Sequence, residues 1–360
     1  MMVIKVSQYV PVLKWRQGEY QALSRLTNTI KDSITPLIII PPVEYDFEEK
    51  KLKKTTQEHV ETFPKRLHSK WGKKKALIDL HSSLEESAMD DGRLAVEYIF
   101  DELRKTSCAA IPVVKLSNKN EYMEAVKRIL LADQNGVCIR ITLPELINVA
   151  ALNMRLQMLT HNLDLVYAKI DLVIDLERPE SFEPYTIFSK ALTNNIKKIA
   201  DIQKFRSFAL VGTSLRLTGV KRPGGELIRH EWHLYNQLVI DLHTIRIPTY
   251  GDYSIETPDF SAIDMRKIRP SGKIVYTSDD VWFVAKGPAF RGNEYQMVEH
   301  CKTIVNSVHW CGAKYSNGDL RINSTLLGTE NTGNLSTWKQ VGVSHHLVKV
   351  VEQLSKLHAS

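Results

Sequence analysis

The chain has 360 residues, 43% hydrophobic and 25% charged, with a formal net charge of +7. This is ordinary globular composition with ample length for a large core. No apolar run approaches the roughly 18–20 residues that cross a bilayer, and the opening residues lack the basic-then-apolar pattern of a secretory signal, so a cytoplasmic protein with no membrane association is expected.

The first element is the apolar run Tyr9–Trp15, a strand that ends in Lys14, Arg16, a turn glycine and Glu19 before a helical pattern begins. Further β-branched runs at Pro36–Ile40, Ala76–Leu80, Ala110–Leu116, Val137–Thr142, Leu172–Leu176, Ser207–Thr213 and Ile245–Tyr250 bring the strands to eight. Helical periodicity fills the gaps, over Tyr20–Ile34, Gln57–Lys70, Arg93–Ser107, Glu121–Asp133, Asn148–Asn162, Pro184–Ala200 and Glu231–His243. Strands separated by helices of this length imply right-handed crossovers and a parallel sheet. Several strands are continuously apolar, as expected where both faces are covered. Eight such units predict an α/β chain with a (β/α)8 TIM-like barrel over residues 1–255. No GxGxxG follows the first strand and no GxxxxGK[ST] occurs, so the dinucleotide and P-loop readings lack their phosphate loops.

After Tyr250 the rhythm breaks. A hairpin over Lys273–Tyr276 and Val281–Ala285, a helix over Glu294–Trp310, a long loop over Ser316–Ser336 and a closing helix over His345–His358 predict a C-terminal α+β appendage, residues 256–360, packed on the barrel. Trp310, Tyr315 and Trp338 could form an aromatic interface to a protein partner, but packing within the appendage is the preferred reading.

The positive charge is local. Between Lys50 and Lys75, ten Lys/Arg face Glu58 and Glu61, a net of +8, which leaves −1 for the rest. Lys65, Arg66, Lys70, Lys73, Lys74 and Lys75 are therefore candidate nucleic-acid contacts, against the alternative of a solvated lysine-rich helix. Cys108, Cys138, Cys301 and Cys311 form no CxxC pair and read as reduced thiols rather than zinc ligands. His230 and His233 lack the spacing of a metal helix, and Ser214 is not in a GxSxG elbow.

In a barrel of this kind, polar residues just after each strand face one common mouth. Three clusters stand out. Lys14, Arg16 and Glu19 could grip an anion, or form a local ion pair that caps the first helix. Asp175 and Glu177 alternate onto one strand face, where two carboxylates can hold a divalent metal, Mg²⁺ or Mn²⁺, or raise one another's pKa, or else be neutralised by Arg178 or by Arg140 from the preceding strand. Asp79 and His81 alternate likewise, as a base and its orienting partner would. Lys115, Arg140, Arg216 and Asp252 complete the ring of candidate ligand-binding residues, with the Gly-rich loop 218–225 as a further anion contact. A ring of mixed charge suits a phosphorylated small molecule, such as a nucleotide, or a nucleic-acid end. For an enzyme, phosphoester hydrolysis or transfer is the expectation, with Lys14, Arg16 and Arg216 on phosphate and Asp175 and Glu177 on a metal or a proton. The competing expectation is a non-enzymatic module that binds nucleic acid or protein.

The opening Tyr9-x-Pro11-x-Leu13-Lys14-x-Arg16-x-x-Glu19-x-x-Ala22-Leu23, with Pro36-Leu37 in the second strand, resembles the beta protein family of T-even phages and its bacterial relatives. The ending Trp338…Gly342…His345-His346-Leu347 is similar to that family's ending. The two matches bracket the chain. The resemblance implies a family spread among phages, prophages and mobile or anti-phage defence neighbourhoods, and it implies no particular reaction. Lys14, Arg16, Glu19, Trp338 and His346 occupy family-pattern positions.

Overall fold

The computed structural model describes residues 3–260 and 268–359. Eight strands form a closed barrel: β1 (Tyr9–Leu13), β2 (Leu37–Ile40), β3 (Ala76–Leu80), β4 (Ala110–Lys115), β5 (Val137–Thr142), β6 (Ile170–Asp175), β7 (Ser207–Gly212) and β8 (Thr249–Asp252). Every pairing round the ring is parallel. The ring closes where β1 pairs with β8, Tyr9 opposite Tyr250, and with β2, Val12 opposite Leu37. The (β/α)8 architecture expected from the alternation is present. The last strand starts later than the apolar run suggested, because Tyr250-Gly-Asp252 itself carries the ladder.

Side chains alternate in and out along each strand. Val10, Val12, Leu37, Ile39, Leu77, Ile111, Val113, Val173, Ala209 and Val211 fill the barrel interior as one apolar cluster. Tyr9, Leu13, Ile38, Ile78, Ile139, Leu172, Phe208 and Tyr250 point outward and pack beneath the helices. The inward positions become polar at both ends. At the floor, Asp171 accepts from Arg206 Nε (2.9 Å) and Nη2 (2.8 Å) and from Ser207 Oγ (2.5 Å), and its Oδ2 lies 2.8 Å from Lys75 Nζ. Burial works against the Asp171 carboxylate, but Arg206 and Lys75 outweigh it and hold its pKa below the usual range.

The outer helices match the periodic segments, with two splits. The expected helix Tyr20–Ile34 is Gln17–Ser24 followed by Asn28–Asp32, the second capped by Thr27 Oγ1. The expected Gln57–Lys70 is Thr56–Val60 and Phe63–Trp71, broken ahead of Pro64. Among the described residues no helix is long and apolar enough to cross a membrane.

The predicted hairpin is present as Ser271–Thr277 and Val281–Ala289. It gains a third strand from Gly224–Ile228, in the stretch after β7 that reads as loop. The expected loop Ser316–Ser336 is corrected. Residues Asn317–Leu326 are helical, with Ser316 Oγ accepting from Asp319 N at 3.2 Å. Ser, Asn and Gly made the segment look like loop; here they supply its cap and its closest contact. The helix packs on the C-terminal helix Leu335–Leu357 through Gly318, where a Cβ would stand 2.3 Å from Val341 O. The C-terminal helix begins ten residues before the predicted His345, at the Asn334 cap. It lies against the first helix and β1, in the place of the eighth outer helix. Trp338 is 3% exposed within the sheet-and-helix core, and its Nε1 donates to Thr332 O at 2.8 Å. Trp310 tilts against Tyr276 and Tyr315 donates to Glu352, so these aromatics pack within the chain.

Gly318→Ala is expected to lower stability by about 1–3 kcal/mol, because the new methyl meets a backbone carbonyl that cannot rotate away. Gly219→Ala, with nothing near its Cβ position, should stay within about 0.5 kcal/mol of the parent. Paired urea titrations check both.

Candidate functional site

The carboxyl ends of the strands carry a continuous ion network around Arg140. The residue shares the inward face of β5 with Cys138, so its side chain rises through the barrel axis. Arg140 Nη1 donates to Asp79 Oδ2 at 2.5 Å. Nε and Nη2 reach Asp175 Oδ2 at 2.8 and 2.5 Å, and Nη2 also reaches Tyr253 OH at 2.9 Å. The Tyr253 hydroxyl donates to Asp175 Oδ2 at 2.6 Å. Lys115 Nζ lies 2.9 Å from Asp79 Oδ1 and donates to Glu85 Oε1 at 2.8 Å and Leu80 O at 2.9 Å. Burial opposes the Arg140 charge, but Tyr253, Asp175 and Asp79 together hold its pKa well above the usual arginine value.

Asp79, Lys115, Arg140 and Asp175, each expected at the mouth, are thus brought together. Asp175 meets Arg140, the neutralising partner offered by the preceding strand, whereas Asp79 does not meet the partner expected for it. Asp79 is engaged by Arg140 and Lys115, not by His81. The imidazole instead sits beside Ser83, with Nδ1 accepting from Ser83 N at 3.2 Å, and meets the Phe260 ring edge-on at 5.0 Å. Burial and then Lys115 lower the His81 pKa. Asp175 is committed to Arg140, and its Oδ1 accepts from Glu177 N at 2.7 Å. Glu177 leaves β6 in the left-handed region, φ 53°, with its carboxylate exposed. Partial burial, then Asp175, raise its pKa. Among the described residues no group of three or more His, Cys, Asp or Glu is arranged to hold a metal ion.

Lys14 lies on the inward parity of β1 and is 4% exposed; its ammonium donates to Asp259 O and sits 4.5 Å from the Phe260 centroid. Glu19 is buried at 2% exposure and caps the first helix through Arg16 N at 3.2 Å. Arg16 does not pair with it side chain to side chain. It borders a cleft of about 280 Å³ between the ends of β1 and β2. Pro41, Pro42 and Val43 form the apolar wall, while Lys53, Lys54 and His59 come from the excursion that follows β2. His59 Nε2 is bonded to Pro41 O at 2.8 Å, and Lys53 donates to Glu44 at 2.9 Å. Arg16 and Lys54 have no carboxylate within ion-pair distance among the described residues. Lys53, Lys54 and His59 went unrecognised in the sequence as a site because all three lie outside a strand end.

Two expected mouth residues lie elsewhere. Asp252 shares the outward parity of Tyr250 and is fully buried beneath the C-terminal helix. It accepts from Tyr9 OH, from Tyr250 OH at 2.9 Å, from Ser254 N at 2.8 Å and from His346 Nε2 at 3.0 Å. His346 Nδ1 is bonded to the Thr277 hydroxyl at 2.8 Å, and burial disfavours the charged form of the ring. Arg216 pins the loop after β6 through Pro179 O at 3.0 Å.

The basic segment does not form one arm. Lys75 is 8% exposed in the barrel floor, paired with Asp171, and is unavailable to nucleic acid. Lys74 pairs with Asp32, also below the strands. Lys65, Arg66 and Lys73 are exposed and Lys70 half-buried along the Phe63–Trp71 helix and its end, with Arg66 over the Tyr20 ring. Lys50, Lys51, Lys53 and Lys54 are on the mouth side, where Glu44, Asp46, Glu48 and Glu49 match them in number.

A family model described as Beta protein matches residues 9–352, from the first residue of β1 into the C-terminal helix. No curated protein matches the chain.

Arg140→Met leaves two carboxylates without their cation in a dry site and is expected to cost about 3–5 kcal/mol, read by chemical denaturation; an unchanged midpoint would refute the network. A second expectation concerns pH. Burial, only partly offset by Asp252, holds the His346 pKa below its ordinary value, so the unfolded chain binds a proton first. That contribution is complete above about pH 6.5 and is lost as pH falls below it. The Asp252 pKa is also held low, by His346 and Tyr9 against the effect of burial, so its contribution is lost only at more acid pH. His81, His230, His300 and His358 are lowered as well. The diagnostic is therefore the difference: His346→Gln should flatten the stability loss between pH 7 and pH 5.5 in paired urea titrations.

Proposed function

The chain belongs to the Beta protein family, and we propose that it binds a phosphate-bearing small molecule at the barrel mouth, its anion seated in the cleft between β1 and β2. The observation that carries this reading is that Arg16 and Lys54 line that cleft with no ion pair of their own among the described residues. The carboxylate that shares the cleft, Glu44, is bonded to Lys53, and a guanidinium and an ammonium beside it would be matched by an anion of two or more oxygens. Pro41, Pro42 and Val43 offer the apolar remainder of the ligand a dry wall. A nucleotide or a nucleic-acid end would supply such a phosphate.

Phosphoester cleavage finds less support than binding. Asp175, the expected metal or proton carboxylate, already answers to Arg140. Glu177 is the mouth carboxylate best suited to proton transfer, exposed and with a raised pKa. The alternative of a nucleic-acid module rests on Lys65, Arg66, Lys70 and Lys73, which follow one helix down the outside of the barrel.

Calorimetric titration with nucleoside phosphates, sugar phosphates and short oligonucleotides separates the readings. One small phosphorylated class should bind, and Arg16→Ala should weaken it by about 1.5–3 kcal/mol, the value of a charged hydrogen bond. Combined Lys65→Ala, Arg66→Ala and Lys70→Ala should leave that binding unchanged. Binding of oligonucleotides alone, abolished by the triple variant and falling steeply with salt, would overturn the cleft in favour of the helix.

A further inference from the structure

Three polar side chains from three separate segments meet at the edge of the small sheet. Glu226, on the strand Gly224–Ile228, stands directly opposite Phe283, so the two side chains share one face. Ser278 opens the hairpin turn, its N–H donating to Val281 O at 2.7 Å. His309 comes from the turn that follows the Gln296–Val305 helix and lies against the Phe283 ring at 5.1 Å. Its Nε2 stands 2.9 Å from Glu226 Oε1 and its Nδ1 3.0 Å from Ser278 Oγ. A carboxylate only accepts, so it fixes the proton of the neutral ring on Nε2. Nδ1 is then the bare nitrogen, and the Ser278 hydroxyl donates to it. Nucleophile, base and orienting carboxylate thus stand in hydrogen-bonded sequence, the relation by which such triads are recognised on unrelated folds.

The turn at Ser278 supplies the second requirement of acyl chemistry. Arg229, fully buried, gathers its carbonyls. Ser278 O and Asp279 O accept from Arg229 Nη1 at 2.9 and 3.1 Å, and Asp280 O accepts from Arg229 N at 2.8 Å. Gln353 Nε2 adds a bond to Asp279 O at 2.9 Å. In a trans peptide each C=O points opposite to the next N–H. The N–H groups of Asp279 and Asp280 are therefore turned away from Arg229, and neither has a hydrogen-bond partner among the described residues. The first belongs to the residue after the serine, a position from which a backbone donor meets a developing oxyanion. The Asp279 carboxylate is offset by Lys349 Nζ at 2.8 Å, and that of Asp280 is out in solvent, 3.7 Å from His233 Nε2.

We propose that Ser278, His309 and Glu226 form a hydrolytic triad that cleaves carboxylic esters with a small apolar acyl group, independently of the anion cleft. Ser278 and His309 are half-buried rather than occluded. Phe283 against the imidazole, and the exposed Val308 next to it in the chain, provide the apolar surroundings. Ser278 Oγ attacks the carbonyl carbon, its proton passes to His309 Nδ1, and the C=O electron pair moves to the oxygen that the two N–H groups hold. The pair returns, the bond to the alcohol oxygen breaks, and His309 hands that oxygen the proton. Water then attacks the acyl-serine, giving a proton to His309. The bond to Oγ breaks, and Oγ recovers the proton. Ester and water become acid and alcohol with no change of oxidation state.

Two probes test this on the full chain: p-nitrophenyl butyrate, and an alkyl fluorophosphonate whose phosphorus bonds to Oγ as fluoride leaves. Peptide mapping is expected to place one phosphonate per chain on Ser278. Ser278→Ala and His309→Gln should each lower butyrate hydrolysis about a hundredfold or more. Should those variants fold poorly, the adduct on the parent decides alone. Glu226 acts through the ring, and its readout is the tautomer. Imidazole nitrogen NMR should find the proton of neutral His309 on Nε2 in the parent and divided between the nitrogens in Glu226→Ala. Absence of an adduct on Ser278 overturns the proposal. So does hydrolysis that survives in a folded Ser278→Ala, or a neutral His309 that carries its proton on Nδ1.

Discussion

The mouth of this barrel is organised by one buried guanidinium. Arg140 ties β3, β5, β6 and the residue after β8 into a single unit through Asp79, Asp175 and Tyr253. At about 3 Å and an effective dielectric near 20, each such charge pair attracts by roughly 5 kcal/mol before desolvation is subtracted. The desolvation cost is of the same order, so the network adds little net stability. What it enforces is geometry: a carboxylate bound on both sides cannot turn toward the solvent. Asp171 with Arg206 and Lys75 does the same at the floor. The apolar interior is therefore closed at each end by ions that already satisfy one another, and chemistry is left to the rim.

The rim in turn depends on how the ring is shut. The seam between β1 and β8 has no helix of its own from the barrel repeat, and the C-terminal helix takes that place. His346 bonds Asp252 and lies 3.2 Å from Tyr9 OH, one group on each side of the seam. The neighbouring His345, a helical step away, stands between Asp319 and Thr277 O and fastens the small sheet and the Asn317–Leu326 helix. Adjacent histidines on one helix thus serve two different partners. Lys339, two turns earlier, reaches Glu256 at the mouth. The last helix both closes the seam and contributes a charge to the corner that holds Lys14.

The barrel was legible because parallel strands buried on both faces read as near-continuous apolar runs, as Leu37–Ile40 does. Parity was legible too: Asp79, Lys115, Arg140 and Asp175 alternate with buried aliphatics and do meet inside. The same reasoning places Lys75 two residues before Leu77, inside the floor rather than on an arm. Asp252 escaped because the last strand runs through Asp252 instead of ending at Tyr250, which puts its carboxylate on the outward parity of Tyr250 and not in a loop at the mouth. The Asn317–Leu326 helix escaped because its caps and its glycine are loop-forming residues, and only the neighbouring helix makes them helical. The cleft escaped because Lys53, Lys54 and His59 reach Arg16 by a fold of the chain that no local pattern encodes.

The position of the free cations follows from what the other charges already do. Arg216, after β7, where barrel phosphate sites are often built, is used on the carbonyls of Pro179 and Glu180. Arg178 is paired with Asp259, and Lys115 with Asp79 and Glu85. In the excursion after β2, four lysines and four carboxylates cancel as a segment, yet Glu44 pairs with Lys53, and Lys54 lines the cleft together with Arg16. Net charge is thus a poor guide to how the cations of this protein are disposed. The strongly basic stretch divides between the two ends of the barrel, with Lys75 and Lys74 engaged below the strands and Lys53 and Lys54 at the cleft above them.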